Sequence, residues 1–507
     1  MVLKDRRIPR FRHFAALTAG SLVWSSLVLD PGEPSLGANK PGTAKPAGTA
    51  PANPGTAVAK ARAGTQASVA GPAAGAADPA ARGKGKTSSA PLRHVPGRTI
   101  DSLVAGWLKR PDLQHSQIGV EVMELPSGRI LYSLNGNRRF TTASTAKVLT
   151  TACAFDTFGP NFTYKTELRA SGSVDDGKVH GNLIICPSQD PTFSREDLQR
   201  LFSELSNRKI KQIEGHVEIE PIAGGSEYFS TGWLPEDWGQ TWMPVCSSLV
   251  IDRNIAPGVV PLKGAKIVQV SPEATDNALF AGLMNSDEAA AWLSYDAGKK
   301  ELRVCPGKGT TVKSPLAVAN PDDYNLLLAE SMLQDMGIKE QTPVVKEALG
   351  VVKRALKPHG NTRSDTTAIA EHLSKPLSAI IQTCLHESDN LYAQQLLRTL
   401  GLLGQDEANK LTPNKFKEMP PIEERGLYRL TNWLSKIGAP AQEVVLTDGC
   451  GLSRKDNISP HALNCVLSHM AGPTLNGPYL SLLKQTGGGH PYRYKTGSME
   501  SVSSIAG

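Results

Sequence analysis

The chain has 507 residues, 40% hydrophobic and 20% charged, a composition that suits soluble globular domains with sizeable cores rather than a fibre or a membrane bundle. Its formal charge of +7 is localised: residues 1–96 hold 13 Lys/Arg against 4 Asp/Glu, and the remainder 42 against 44. A basic tail on a neutral body argues against a dedicated nucleic-acid domain and directs the tail toward an anionic surface such as lipid headgroups or wall polymer.

In chain order, "MVLKDRRIPRFR" is a basic start and "FAALTAGSLVWSSLVL" (14–29) an apolar run, so residues 1–30 read as an export signal or a short membrane anchor. That reading places the protein in the periplasm or cell envelope. Residues 31–96 are Ala, Gly, Pro, Thr and Lys with almost no large apolar side chain, which predicts a disordered tether. A short helix near 100–109 precedes "IGVEVMELPSGRILYSLN" (118–135), two strands joined by a hairpin signal. "TTASTAKVLTTACAFDTFG" (141–159) then reads as a helix ending at Gly159-Pro160. From 164 to 320 the pattern alternates like strands, in "YKTELRASGSV", "KVHGNLIIC" and "IEGHVEIEP", around a Trp-rich stretch "GWLPEDWGQTW" (232–242). Helical pattern returns over 325–336, and 374–401 reads as two helices broken at Glu387-Ser388-Asp389. "YRYKTGS" (492–498) and "VSSIAG" (502–507) read as a closing strand pair. The order predicts an α+β fold: a discontinuous domain, 97–163 and 321–507, around an inserted β-rich region, 164–320.

Seven cysteines (Cys153, Cys186, Cys246, Cys305, Cys384, Cys450, Cys465) form no Cys-x-x-Cys pair, so neither a disulfide framework nor a common zinc spacing is present. Cys153 and Cys384 read as small buried hydrophobes. There is no His-x-x-x-His and no Gly-x-Ser-x-Gly, which removes zincins and α/β-hydrolase nucleophile elbows. No metal and no organic cofactor is expected.

Ser144 stands three residues before Lys147, but Ser206/Lys209 and Ser481/Lys484 repeat that spacing, so the pair alone decides nothing. Its setting does. Only Ser144 follows a strand hairpin and opens a helix, and downstream lie Ser388-Asp389-Asn390 at an inter-helix break and Lys495-Thr496-Gly497 in a strand. A helix start presents free backbone N–H groups and the positive dipole end, and Lys147, one turn on, shares the face of Ser144. A lysine base must be neutral, whereas a free lysine titrates at about 10.4. Burial and a second cation, Lys495, would lower that value. Ser144 is therefore the expected nucleophile and Lys147 the general base.

This set, in this order and with Ser388 placed 244 positions after Ser144, resembles the D-alanyl-D-alanine carboxypeptidase/endopeptidase family, the low-molecular-mass class C penicillin-binding proteins. "SQDPTF" (188–193), "LSKPLSAIIQTCLHESDNLYAQQLLRTLG" (373–401) and "TDGCGLSR" (447–454) extend the similarity over about residues 97–507. The resemblance implies a β-lactamase/transpeptidase-like domain, an antiparallel sheet flanked by helices. It implies cleavage of D-Ala–D-Ala in peptidoglycan stem peptides through an acyl-enzyme, with β-lactam antibiotics as covalent inhibitors. Ser388 would aid proton transfer to the leaving group and Asn390 would hold the substrate backbone. Lys495 and Thr496 would grip the terminal carboxylate, and Gly497 would let the substrate strand approach. The backbone N–H groups of Ser144 and Ser498 would form the oxyanion hole. In the inserted region, Asp237 with Trp233 nearby is a candidate for recognising a free amine on the stem, against a buried structural turn. Asp389 reads equally as a helix cap, and Asp448 and Arg454 as structural supports.

Two departures stand out. Cys450 occupies a position where the family usually carries serine. The chain also runs only ten residues past Gly497, where the resemblance leads to a further strand and a C-terminal helix. Either another segment takes that strand's place, or the chain is truncated or impaired. The competing reading is accordingly a catalytically silent wall-binding scaffold of the same fold. A β-lactamase is disfavoured, because no Glu-x-x-x-Asn lies between Asn390 and Lys495.

Overall fold

A computed structural model describes residues 22–31, 99–125, 127–222, 229–230, 232–234, 237, 239–243, 245–269, 292–305, 315–341, 366–402, 420–472, 477–487 and 491–507. The expected tether, apart from residue 31, lies outside them. The first strand, β1 (Leu22–Pro31), is followed by helix α1 (Ile100–Leu108) and the expected hairpin, β2 (Ser116–Glu124) and β3 (Arg129–Leu134). The segment holding Ser144 is a single 3-10 turn, Ala143–Ala146, running into α2 (Lys147–Phe158). Gly159, at φ 79°, ends α2 in a backbone region closed to most side chains.

The inserted region contains β4 (Lys165–Ala170), β5 (Leu183–Cys186), α3 (Arg195–Asn207), β6 (Val217–Ile219), β7 (Trp292–Asp296), β8 (Glu301–Cys305) and β9 (Leu316–Val318). Helix α3 is a departure from the strand-rich expectation. Its start is set by a capping box, in which Ser194 accepts from the Asp197 N–H and Asp197 accepts from the Ser194 N–H. After residue 320 come α4 (Pro321–Asp335) and β10 (Thr367–Leu373). Tyr324, Leu327 and Leu328 of α4 share one core with Leu168, Ile185, Phe202 and Leu293. β10 closes the sheet β6-β5-β4-β10 by pairing antiparallel with β4, from Thr367↔Ala170 to Leu373↔Lys165.

The chain returns with α5 (Leu377–Glu387), α6 (Asn390–Leu402), α7 (Ile422–Lys436) and α8 (Pro460–Met470), then β11 (Arg493–Met499) and β12 (Val502–Ala506). These last strands enter a six-stranded antiparallel sheet ordered 484–485, β11, β12, β1, β2, β3. β1 pairs with β12 (Ser25↔Ala506, Leu29↔Ser503) and with β2 (Leu22↔Glu124, Pro31↔Ser116). Residues 22–31, the end of the expected leader and the first residue of the expected tether, thus supply the strand expected beyond β12. No helix among the described residues is long and apolar enough to cross a membrane.

Helix α2 is buried on every side from Lys147 to Phe155. Val148, Leu149, Ala152 and Phe155 pack with Leu397 of α6, Leu430 and Trp433 of α7, and Leu463 and Leu467 of α8. Such all-round burial, at about 1.5–3 kcal/mol per large apolar side chain, holds α2 in one place. Cys153, Cys186, Cys246, Cys384 and Cys450 are buried free thiols.

Candidate active site

The start of α2, the break between α5 and α6, and strand β11 converge. Ser144 is half-buried in the 3-10 turn and Lys147 is fully buried. The Lys147 Nζ donates to Ser144 Oγ at 2.9 Å, to Asn390 Oδ1 at 2.6 Å and to the Cys450 carbonyl oxygen at 2.8 Å. Three acceptors saturate an ammonium. A neutral amine in the same place would accept from the Ser144 hydroxyl while still donating to the other two.

Ser388 ends α5 in the left-handed region at φ 58°, a turn that lets Asn390 begin α6. Asp389 caps α6, accepting from the Tyr392 N–H at 3.0 Å. Ser388 Oγ receives the Lys495 amine at 2.9 Å, and the same amine donates to the Thr496 carbonyl at 2.5 Å. Lys495 is 2% exposed; burial first, and then the charge of Lys147, lower its amine from 10.5 to about 7. Each amine therefore holds one hydroxyl: Lys147 with Ser144, Lys495 with Ser388.

Strand alternation explains the rest of β11. Lys495 and Gly497 face inward and are buried, while Thr496 and Ser498 are exposed. A Cβ on Gly497 would overlap the Ser504 hydroxyl and Thr142 carbonyl oxygens and lie 2.8 Å from the Ser144 nitrogen, so only glycine lets β11 run this close to Ser144. From β12, Ser504 Oγ donates to the Thr142 carbonyl at 2.5 Å and lies 3.1 Å from Thr145 Oγ1, pinning the turn that carries Ser144 to the sheet.

The "DGCGLSR" segment forms the floor. Asp448, fully buried, accepts from the N–H groups of Cys450, Gly451 and Ser453 and from the Trp233 indole at 2.8 Å. Asp456 beside it is raised by burial and by the negative charge of Asp448. Lys147 uses the carbonyl of Cys450 and not its side chain, so serine and cysteine serve that contact equally. Burial pushes the Cys450 thiol well above its ordinary range, which leaves it inert beside Ser144. Arg454 pairs with Glu500 at 3.1 Å across to the β11–β12 turn.

Trp233 is 5% exposed, packed with Cys450, Leu391 and Tyr392, and spends its indole N–H on Asp448, so it lies behind the cleft as a support. Asp237 is half-buried in the turn after it, its N–H bonded to the Leu234 carbonyl at 3.1 Å. Sequence reasoning missed Ser504 and the Trp242 carbonyl, which takes the Asn390 amide N–H at 2.6 Å. The small residues of "VSSIAG" opposite Gly497 were the available signal for Ser504; a backbone carbonyl leaves none. Ser206, Lys209, Ser481 and Lys484, the other Ser-x-x-Lys pairs, are all exposed. Among the described residues no cluster of His, Cys, Asp or Glu could hold a metal ion.

Over residues 100–507 the chain matches the profile of the D-Ala-D-Ala carboxypeptidase 3 (S13) family. It is 25% identical over 366 residues to D-alanyl-D-alanine carboxypeptidase DacB of Haemophilus influenzae, covering 70% of this chain and 71% of that one. To the D-alanyl-D-alanine carboxypeptidase of Actinomadura sp. it is 23% identical over 456 residues, 83% of this chain and 80% of that one. Its fold is similar to the crystal structure of penicillin binding protein 4 (dacB) from Haemophilus influenzae, with a TM-score of 0.56 and 20% identity over 76% of this chain and 88% of that one. The same protein complexed with a β-lactam matches with a TM-score of 0.51, again at 20% identity over 76% and 88%.

Proposed function

The chain belongs to the D-Ala-D-Ala carboxypeptidase 3 (S13) family of serine peptidases, and from that premise we propose that it cleaves peptidoglycan stem peptides through an acyl-enzyme on Ser144. The observation that carries the reading is the pairing of each buried amine with one hydroxyl, Lys147 with Ser144 and Lys495 with Ser388, both at 2.9 Å.

Lys147 takes the proton of Ser144 as its oxygen attacks the carbonyl of the penultimate D-Ala. The oxyanion forms against the backbone N–H groups of Ser144 and Ser498, a reading supported by Gly497, the neighbour of Ser498, where an added Cβ would lie 2.8 Å from the Ser144 nitrogen. Lys495, with Thr496, holds the terminal carboxylate. As the tetrahedral intermediate collapses, the C–N bond breaks and Ser388 relays a proton to the departing D-Ala amine. Water then attacks the ester and returns Ser144 to its hydroxyl form. Asn390 exchanges its bond to the Trp242 carbonyl for the substrate backbone. Replacing the leaving D-Ala with a crosslinking diamino acid gives endopeptidase action by the same steps, and Asp237 recognises the amine of such a side chain. A penicillin acylates Ser144 in the same way, but its leaving amine stays tethered to the acyl group. The work takes place in the cell envelope, where peptidoglycan lies. The intact contacts of both amines disfavour a silent scaffold.

The test is D-Ala release from a synthetic stem pentapeptide, followed by mass spectrometry. Wild type is expected to release D-Ala and Ser144→Ala to release none. A folded wild type that releases none would overturn the proposal.

A further inference from the structure

Asp252, Arg253 and Asn254 are three consecutive non-glycine residues in the left-handed region, with φ of 50°, 61° and 55°. L-residues rarely adopt that conformation singly, and a run of three persists only where surrounding contacts dictate it. Both flanks are tied down. Asp252 accepts from the Arg195 N–H at 3.1 Å, at the start of α3. Asn254 is 2% exposed; its amide donates to the Val245 carbonyl at 2.7 Å and to Ser247 Oγ at 2.9 Å, and its carbonyl accepts from Asn325 at 3.3 Å. The middle residue is left to project. Its guanidinium meets Asp389 Oδ2 at 2.5 Å, although Asp389 itself is 5% exposed. Arg253 and Asp389 meet in the wall of an open cleft between Trp242 and Ile255 of the inserted region and Ser388 and Asn390 of the α5–α6 break.

Asp389 sits between the residue that receives Lys495 and the residue that receives Lys147. One of its oxygens caps α6 and the other takes Arg253. We propose that Arg253 is a positioning residue: its ion pair with Asp389 fixes the Ser388-Asp389-Asn390 turn, so that the Ser388 hydroxyl faces Lys495 and the Asn390 carbonyl faces Lys147. The inserted region then supplies part of the catalytic geometry, and the strained turn is what delivers it. The inference rests on the acyl-enzyme reading given above.

The test is stopped-flow acylation by a fluorescent penicillin, resolved into a binding constant and an acylation rate, for wild type, Arg253→Met, Arg253→Lys, Asp389→Asn and the Arg253→Met/Asp389→Asn double variant. The amide of Asp389→Asn keeps an oxygen for the α6 cap, so this variant reports on the ion pair even if Arg253→Met folds poorly. Each neutralising variant is expected to acylate about 10–100-fold more slowly, the cost of misplacing a catalytic turn by an ångström, with the binding constant changed less than about threefold. The double variant should be no slower than the slower single, because one shared interaction is lost, and Arg253→Lys should recover part of the rate. A purely structural role would instead lower the fraction of titratable enzyme and leave the acylation rate alone. Acylation at the wild-type rate in Asp389→Asn, or multiplied losses in the double variant, would overturn the proposal while leaving Ser144 chemistry in place. A wild type that is never acylated would overturn both.

Discussion

Replacing Lys495 with methionine should flatten the dependence of stability on pH. In the folded protein its amine titrates at about 7, against 10.5 when free, because it is 2% exposed and shares its surroundings with Lys147. The unfolded chain therefore binds this proton more tightly than the folded one. Above pH 10.5 the group is neutral in both states and costs nothing. As pH falls from 10.5 toward 7 the unfolded state gains a proton that the folded state refuses, and below 7 the penalty is complete, at roughly 5 kcal/mol. Over a practical window, pH 9 to pH 6, wild type should lose about 2.5 kcal/mol relative to Lys495→Met. The assay is urea unfolding of both proteins at pH 6, 7.5 and 9, with the difference in unfolding free energy taken at each pH so that all other titrating groups cancel. A difference that stays constant across the series would mean that Lys495 keeps its ordinary proton affinity when folded, and the electrostatic account of the site would fail.

Three further outcomes follow from the same geometry. Gly497→Ala places a methyl group against the backbone carbonyl of Thr142 and the Ser504 hydroxyl, so β11 must draw away from the Ser144 nitrogen; acylation by penicillin should slow about 10²–10³-fold, and an unchanged rate would detach the strand from the oxyanion site. Lys147→Arg keeps a cation in place but cannot present a neutral amine, and its acylation rate should fall about 10²–10⁴-fold while the thermal midpoint moves little; retention of the rate would give the base to another group. Trp233→Phe removes one of the four donors on buried Asp448, which should lower unfolding stability by about 1–2 kcal/mol and leave KM for the pentapeptide unchanged. A raised KM with unaltered stability would instead put the indole on the substrate.

The elements that position the site were legible where local chemistry marks them. The β2–β3 hairpin, the stop of α2 at Gly159 and the break between α5 and α6 each carry a turn residue or a change of period. Ser144 was separated from the two other Ser-x-x-Lys serines only by its setting, and both of those pairs are exposed. What escaped reading is non-local. An apolar run such as 14–29 looks the same whether it leads to export or to a strand, so the pairing of β1 between β12 and β2 could not be foreseen. α4 shows ordinary helical periodicity, and nothing in that pattern says that it shares a core with Leu168, Ile185 and Leu293. Trp233 drew attention as an aromatic beside acidic residues, yet its partner Asp448 lies more than two hundred positions away. The left-handed run at 252–254 has no glycine to announce it, being held by buried side chains contributed from distant segments.

The central claim is most directly met by mapping the covalent adduct that benzylpenicillin leaves on the intact protein. The account predicts a single mass increment equal to one penicillin, located by peptide sequencing on the fragment that contains Ser144 and absent from Ser144→Ala. A folded wild type without an adduct, or an adduct that persists in Ser144→Ala and maps to another residue, would contradict it.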